Sequence, residues 1–378
     1  MDLIERNVCA VTGTDDLEPV YTFPDFPVFM GCTKAPVYED LKADMSWWIS
    51  RSSGLIQLKQ LIPLEILYPE SHGAGSVGSL WQKHHKAFAD FIYSFKPSSV
   101  FEIGGHHGIL ANYYNLLEDI PWTILEPNPI NISQTKARFI KGFFDGSFQV
   151  NDSFDAIVHS HVFEHIYTPS EFMEHLSNFV EEGKLLAFSV PNLMVHMKKR
   201  FTYCLGFEHT VFLTDQYIEY LLPKYGFRII KKENFLEDHS VFYSAIKTKN
   251  QPFSPLANDL YNRNRELFLD YISYHQELVG KLNAKFNSCE KPIFLFGAHA
   301  LSQFLLAFGL DSKRVMNLLD NDPNKQEKRL YGTKLFVKSP KILKDIKNPV
   351  VILKSGVFNE EIKQDIQNNI NSNVEFWE

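Results

Sequence analysis

The chain has 378 residues, 44% hydrophobic and 22% charged, with a net charge of −7. That length suits two or three domains with buried cores, and the acidic balance supplies no general basic field for nucleic acid. No apolar run approaches the ~20 residues of a membrane helix, so neither a membrane nor a nucleic-acid partner is expected. The start, Met1 to Asn7, lacks the basic flank and apolar stretch of a signal peptide. Cys9, Cys32, Cys204 and Cys289 are scattered and form no CxxC pair. A cytoplasmic, multidomain enzyme is expected.

Residues 1–78 are rich in turn residues and aromatics, with only short strand-like runs such as GLIQL at 54–58. Leu80, His84, Phe88, Phe91, Ile92 and Phe95 then recur at helical spacing and predict an amphipathic helix over 79–95. From 99 onward strand-like and helix-like segments alternate. Strands are predicted at 99–103, 122–127, 154–160, 184–191, 227–235 and 240–247, with helices at 108–117, 170–180 and 214–225. A long helical stretch carries Leu256, Leu260, Leu267, Tyr271, Leu278 and Leu282 on one stripe. The alternation then restarts, with strands at 291–298, 315–322 and 349–354 and a helix over 300–309. Such alternation implies a doubly wound, mostly parallel α/β sheet. The predicted domains are 1–78, a core of 79–250, and a helical bridge with a smaller α/β domain over 251–378.

The strongest local signal is VFEIGGHHGIL at 100–110, where a strand carrying Glu102 runs into Gly104, Gly105, His106 and Gly108 before a helix. Glycines there allow a sharp turn and close approach of backbone to a ligand. The next strand ends in Glu126 followed by Pro127, and an acid at that place can accept the hydroxyls of an adenosine ribose. Two cofactors use this layout, NAD and S-adenosyl-L-methionine (SAM). NAD enzymes favour GxGxxG, whereas this turn reads GGxxG with an acid two residues before its first glycine, the ExGxxxG arrangement of SAM sites.

Several segments together resemble the three-part sugar C-methyltransferases, class I SAM-dependent methyltransferases of nucleotide-sugar metabolism. They are EIGGHHG (102–108), LEP (125–127), GFF (142–144), FDAIVHSHVFEHI (154–166), FSVP (188–191), LGFEHTVFLT (205–214), FGAHALS (296–302) and DNDPNKQEKRLYGT (320–333). The resemblance spans nearly the whole chain. It implies a Rossmann-like SAM sheet flanked by a small N-terminal and a C-terminal α/β domain, with S-adenosyl-L-homocysteine as coproduct. It departs from the family in two places. The zinc-binding cysteine pairs are lost, since the first reads CAVT from Cys9 to Thr12, and Gly206 stands where the family has tyrosine. Cys32, His72, His84 and His85 do not complete a four-ligand set, so no metal is expected.

The resemblance also implies the site roles. His209 is the expected base, since imidazole titrates near working pH, with Glu208 beside it to orient it or act itself. His161 and Ser160 end the fourth strand of the sheet near the methyl group, Asp145 is placed at the adenine, and Tyr203 substitutes for the missing tyrosine as donor. Tyr68, His165, Gly297, His299 and Ser302 are assigned to the substrate side, with a nucleotide-linked sugar as substrate and a monomer or homodimer as the assembly. O- or N-methylation is the close alternative. An NAD-dependent sugar oxidoreductase or a non-catalytic binding protein is the different class.

Overall fold

A computed structural model describes residues 1–68, 78–129, 135–236, 239–249, 251–354 and 359–378. His72 lies outside the described residues. The chain divides into two compact units. The first comprises 1–19, 48–196 and 208–265, and the second 20–47, 197–207 and 266–378.

The N-terminal region holds longer strands than its sequence suggests: β1 (Leu17–Pro27) and β2 (Lys42–Ser50). Pro19, Pro24 and Pro27 made β1 read as loop. A proline cannot donate to a ladder, but β1 has β2 as its single sheet neighbour, and an edge strand tolerates the missing donor.

The first unit is built on a seven-stranded sheet. Its elements in chain order are α1 (Ser79–Tyr93), β3 (Val100–Ile103), α2 (Ile109–Asn115), β4 (Trp122–Glu126), β5 (Arg138–Lys141), β6 (Ala156–Ser160), α3 (Pro169–Phe179), β7 (Leu185–Pro191), α4 (Asp215–Lys224), β8 (Phe227–Phe235) and β9 (Ser240–Lys247). The strand order is β8-β9-β7-β6-β3-β4-β5. Strands β7, β6, β3, β4 and β5 are parallel, and β9 pairs antiparallel with both β7 and β8. This is the doubly wound α/β sheet that the alternation predicts. Its central strands are buried along their whole length, as in β3 (Val100–Ile103) and β7 (Leu185–Pro191), which is why they read as continuous apolar runs. On α1, the stripe His84, Phe88, Ala89, Phe91 and Ile92 is buried, in accord with the predicted helix. Strand β5 lies outside the strands that the sequence predicts, because its RFIK sequence is short and half-exposed.

The chain runs outward from β3 to β5 and then returns to β6, so the winding reverses between β3 and β6. In open α/β sheets the carboxyl ends of the strands flanking such a reversal form the ligand crevice.

The long helix α5 (Leu260–Asn287) leads into the second unit's own sheet. That sheet contains β10 (Ile293–Phe296), β11 (Val315–Leu319), β12 (Val337–Lys338), β13 (Val350–Ile352) and β14 (Glu375–Trp377), and α6 (Ala300–Ala307) follows β10. The order is β12-β11-β10-β13-β14, and every pair is parallel. Among the described residues no helix is long and apolar enough to cross a membrane.

Candidate active site

The glycine turn leaves the carboxyl end of β3. Gly108 has φ +73°, and a Cβ there would stand 2.5 Å from Thr135 Cγ2, so both backbone conformation and space demand glycine at the start of α2. Glu126, at the end of β4, reaches this turn. Its carboxylate accepts the backbone N–H of His106 at 3.1 Å and that of Asn128 at 3.2 Å, and the residue is 9% exposed. A carboxylate has about four accepting positions, so capacity remains for two ribose hydroxyls. Pro127 follows it directly.

Glu102 faces the other way. It is 2% exposed, its carboxyl accepts Trp122 Nε1 at 2.7 Å, and a Cβ on Gly105 would fall 2.6 Å from its Cδ. Glu102 therefore supports the turn from beneath. Burial pushes this carboxyl up to about 8, against the opposing Trp122 hydrogen bond and reinforced by Glu126. In the unfolded chain the group ionises near 4.5. Between those values the folded state keeps a proton that the unfolded state has lost, so rising pH drains stability across that window. Glu102→Gln retains the acceptor for Trp122 without the charge. The melting temperature of the variant relative to the parent is expected to climb from about pH 5 to pH 8. Parallel melting curves across that range would refute this assignment.

His161 follows β6 immediately. Its φ is +53°, a conformation that is uncommon and strained for a residue other than glycine, and its backbone N–H donates to the Ser189 carbonyl at 2.9 Å. Ser160 shares a 2.9 Å hydroxyl contact with Ser189. His161 Nδ1 lies 3.0 Å from Glu164 Oε1, and Glu164 is 1% exposed on the short turn Phe163–His165. Burial pushes the Glu164 carboxyl up to about 7, opposed by His165. The sequence segment HSHVFEH thus divides. His159 enters the core, where it stacks on Phe188 and burial pulls it down to about 3, while His161 and His165 face the polar cluster.

Tyr68 Oη lies 3.1 Å from His165 Nδ1. The His165 and His209 rings meet at 4.9 Å, and ligand-type atoms of Glu164, His165 and His209 all lie within 4.8 Å of one another. Burial and the negative charge of Glu208 hold the Tyr68 phenol above its ordinary range. The structure therefore gathers Tyr68, Glu164, His165, Glu208 and His209.

Arg6, absent from the sequence-derived site, positions the loop that bears Glu208 and His209. Its buried guanidinium donates to the carbonyls of Leu58, Thr210 and Tyr167 at 3.0, 3.0 and 2.7 Å. An arginine so far from His209 in the chain gives no local signal of that role.

Asp145 is exposed and its Oδ1 accepts both the N–H and the hydroxyl of Ser147. Tyr203, in the second unit, is 47% exposed and stacks on Phe201. Gly297 ends the β10 turn in that unit with φ +99°, and His299 caps α6. Ser302 is fully buried, and its hydroxyl donates to the Gly297 carbonyl.

Residues 78–232 match a family model described as a methyltransferase domain. No sequence among the curated proteins matches this one at a significant level. Among solved structures, N-methyltransferase NodS from Bradyrhizobium japonicum WM9 in complex with S-adenosyl-L-homocysteine is 11% identical, covering 48% of this chain and 97% of its own, at a TM-score of 0.38. The 1,6-didemethyltoxoflavin-N1-methyltransferase of Burkholderia thailandensis is 12% identical, covering 46% of this chain and 80% of its own, at a TM-score of 0.36. Over residues 78–232 the chain is thus similar to a methyltransferase domain.

Proposed function

We propose that the enzyme methylates a nucleotide-activated sugar, at the carbon beside a ketone, with His209 as the base. The observation that carries this reading is the convergence of His209, His165, Tyr68, Glu164 and Glu208 in the unit that holds the glycine turn. Bound SAM supplies an electrophilic methyl group and a neutral thioether leaving group. The chain then has to place the acceptor, remove a proton and stabilise the enolate that results.

His209 takes the proton from the acceptor carbon, and Glu208 orients the ring. Tyr68 is kept protonated by burial and by Glu208, so it acts as hydrogen-bond donor to the enolate oxygen. This moves the donor role from Tyr203, whose ring is exposed and stacked on Phe201, to Tyr68. Glu126 takes the ribose of SAM, the backbone at Gly104, Gly105 and His106 lines the turn beside it, and Asp145 takes the adenine. In this reading residues 79–250 hold SAM, while 1–78 and 251–378, with Gly297 and His299, select the acceptor.

SAM and S-adenosyl-L-homocysteine should each raise the melting temperature, and NAD should not. Incubation with SAM and a nucleoside-diphosphate 4-keto sugar should add one methyl group that mass spectrometry locates on carbon. A methyl group found only on oxygen or nitrogen, with hydroxylated or amino sugars as the acceptors, would replace C-methylation by its alternative.

Glu126→Gln should weaken SAM binding about ten- to a hundredfold, since the neutral isostere loses charge-assisted hydrogen bonds worth ~1.5–3 kcal/mol. Isothermal calorimetry measures this directly, and an unchanged Kd would remove Glu126 from the ribose site.

A further inference from the structure

Three histidines on three separate elements come together beside the crevice: His84 on α1, His161 after β6, and His239 just before β9. A ring nitrogen from each lies within 4.8 Å of the other two. The rings sit 5.2 Å (His84–His161), 5.3 Å (His84–His239) and 6.1 Å (His161–His239) apart, centre to centre. Trp81 packs its ring edge-to-face against all three, at 5.2, 4.8 and 5.0 Å from His84, His161 and His239.

We infer that His84, His161 and His239 bind a divalent transition-metal ion.

Two independent observations point to a ligand. His84 is fully buried, and neither of its ring nitrogens has a hydrogen-bond partner. Buried polar atoms are nearly always satisfied, and in a neutral imidazole one of the two orphaned nitrogens carries a lone pair that a metal ion would take. His161, for its part, has the carboxylate backing that metal-bound imidazoles commonly show. Its Nδ1 stands 3.0 Å from Oε1 of the buried Glu164, whose carboxylate oxygens have no hydrogen-bond partner, and a ring rotation that brings the N–H onto that oxygen would fix ring orientation and raise ligand basicity. His239 is held in place by a 2.6 Å contact between its Nδ1 and Ser240 Oγ, and His161 Nε2 reaches the same hydroxyl at 2.8 Å.

The set is all nitrogen, which selects zinc, cobalt, nickel or copper over magnesium or calcium. A tetrahedral zinc with bonds of ~2.0–2.1 Å needs its nitrogens ~3.4 Å apart, so modest ring rotations close the set around an ion. Three protein ligands leave a fourth position open, the pattern of a metal that meets substrate. At the end of β6 that position would take the acceptor's carbonyl or hydroxyl oxygen. Only this last role rests on the proposed function, and the ion's presence does not.

This departs from the sequence expectation of no metal. No spacing pattern joins three histidines that the fold collects from a helix, a strand end and a loop.

The test uses the full chain, expressed without a polyhistidine tag, stripped with chelator and titrated with cobalt(II). One equivalent should bind with the visible bands of a low-symmetry nitrogen site, and zinc should displace it. His84→Phe places a ring of similar size among Phe88, Phe235 and Phe242, which surround His84. That variant and His239→Asn should each lose the bands, and Glu164→Gln should bind ~10–100-fold more weakly. SAM calorimetry on the same samples reports whether each variant is folded and separates the two readings. Parent protein that binds SAM but no cobalt overturns the metal site and leaves the methyltransferase reading intact. Unchanged cobalt bands in the His84→Phe, His239→Asn double variant also overturn it, because the ion would then sit elsewhere.

Discussion

His209→Asn is expected to lower kcat by ~10²–10⁴, the usual contribution of a positioned acid–base group, while the Kd for SAM stays as it was. Asparagine keeps a polar side chain of similar reach but cannot take a proton. The parent's kcat/KM should fall on the acid side as the imidazole becomes protonated, and the variant should lose that limb. His165 and Glu164 stand beside His209, Tyr68 contacts His165, and Glu208 precedes His209 in the chain, and any of them can shift where the limb lies. Glu208→Gln settles the division of labour: a mild loss means that Glu208 orients the ring, and an equal loss means that it is the base. Exchange in heavy water gives a readout independent of methyl transfer. With a 4-keto sugar and no SAM, the parent should wash deuterium into the carbon beside the ketone, and His209→Asn should not. Normal turnover by His209→Asn would pass the role of base to His165 or remove the need for one.

Much of the central sheet can be read from the sequence because its signals are local. VFEI, WTILE and LLAFSVP are short apolar runs buried on both faces, and nothing but a strand between helices accommodates them. The helical stripe of α1 is equally plain. What escapes is structure decided by neighbours. LEPVYTFPDFP reads as loop from its prolines, yet an edge position beside β2 makes it a strand. The β5 segment RFIK has too little apolar content to be identified by itself, and its pairing with Thr123–Glu126 is what orders it.

The same distinction runs through the site. The glycine turn and Glu126 lie close in sequence and obey a spacing rule, so they are legible by themselves. Their physical division is not legible: Glu102 looks like a ligand in the sequence but is spent on Trp122 beneath the turn. The cluster around His209 depends on contacts across long stretches of chain, Tyr68 with His165 and Arg6 with Thr210. Resemblance pointed toward part of it, and residue patterns could not have done so. His84 shows the limit most clearly. On α1 it occupies a regular apolar position, and only the fold reveals that the surface it packs against contains two more imidazoles.

In the second unit, Asp40→Asn is expected to cost ~3–5 kcal/mol of stability, the usual loss when one partner of a buried ion pair is removed. Asp40 and Arg329 side chains are 1% and 5% exposed, and the pair is bidentate, at 2.5 and 2.6 Å. Asp40 also accepts the Gly332 N–H at 2.8 Å, and Arg329 donates to the Ala35 carbonyl at 2.6 Å. These bonds fasten residues 35–40 to the loop after Arg329, next to the short antiparallel pairing of Cys32–Thr33 with Arg329–Leu330. Asparagine would leave the guanidinium buried with its charge unmatched. Urea unfolding should show the earlier transition, and hydrogen exchange should place the loss of protection in 29–41 and 329–335. The double change Asp40→Leu with Arg329→Met removes both charges, yet should recover only part of the loss, because the Gly332 N–H and the Ala35 carbonyl still lack partners. SAM affinity, measured well below the transition, should not change. If this unit selects the acceptor as proposed, Asp40→Asn should raise KM for the sugar nucleotide and leave the Kd for SAM alone. A change under ~1 kcal/mol would mean that water or a neighbouring donor reaches the pair and that the fastening is weaker than its geometry suggests.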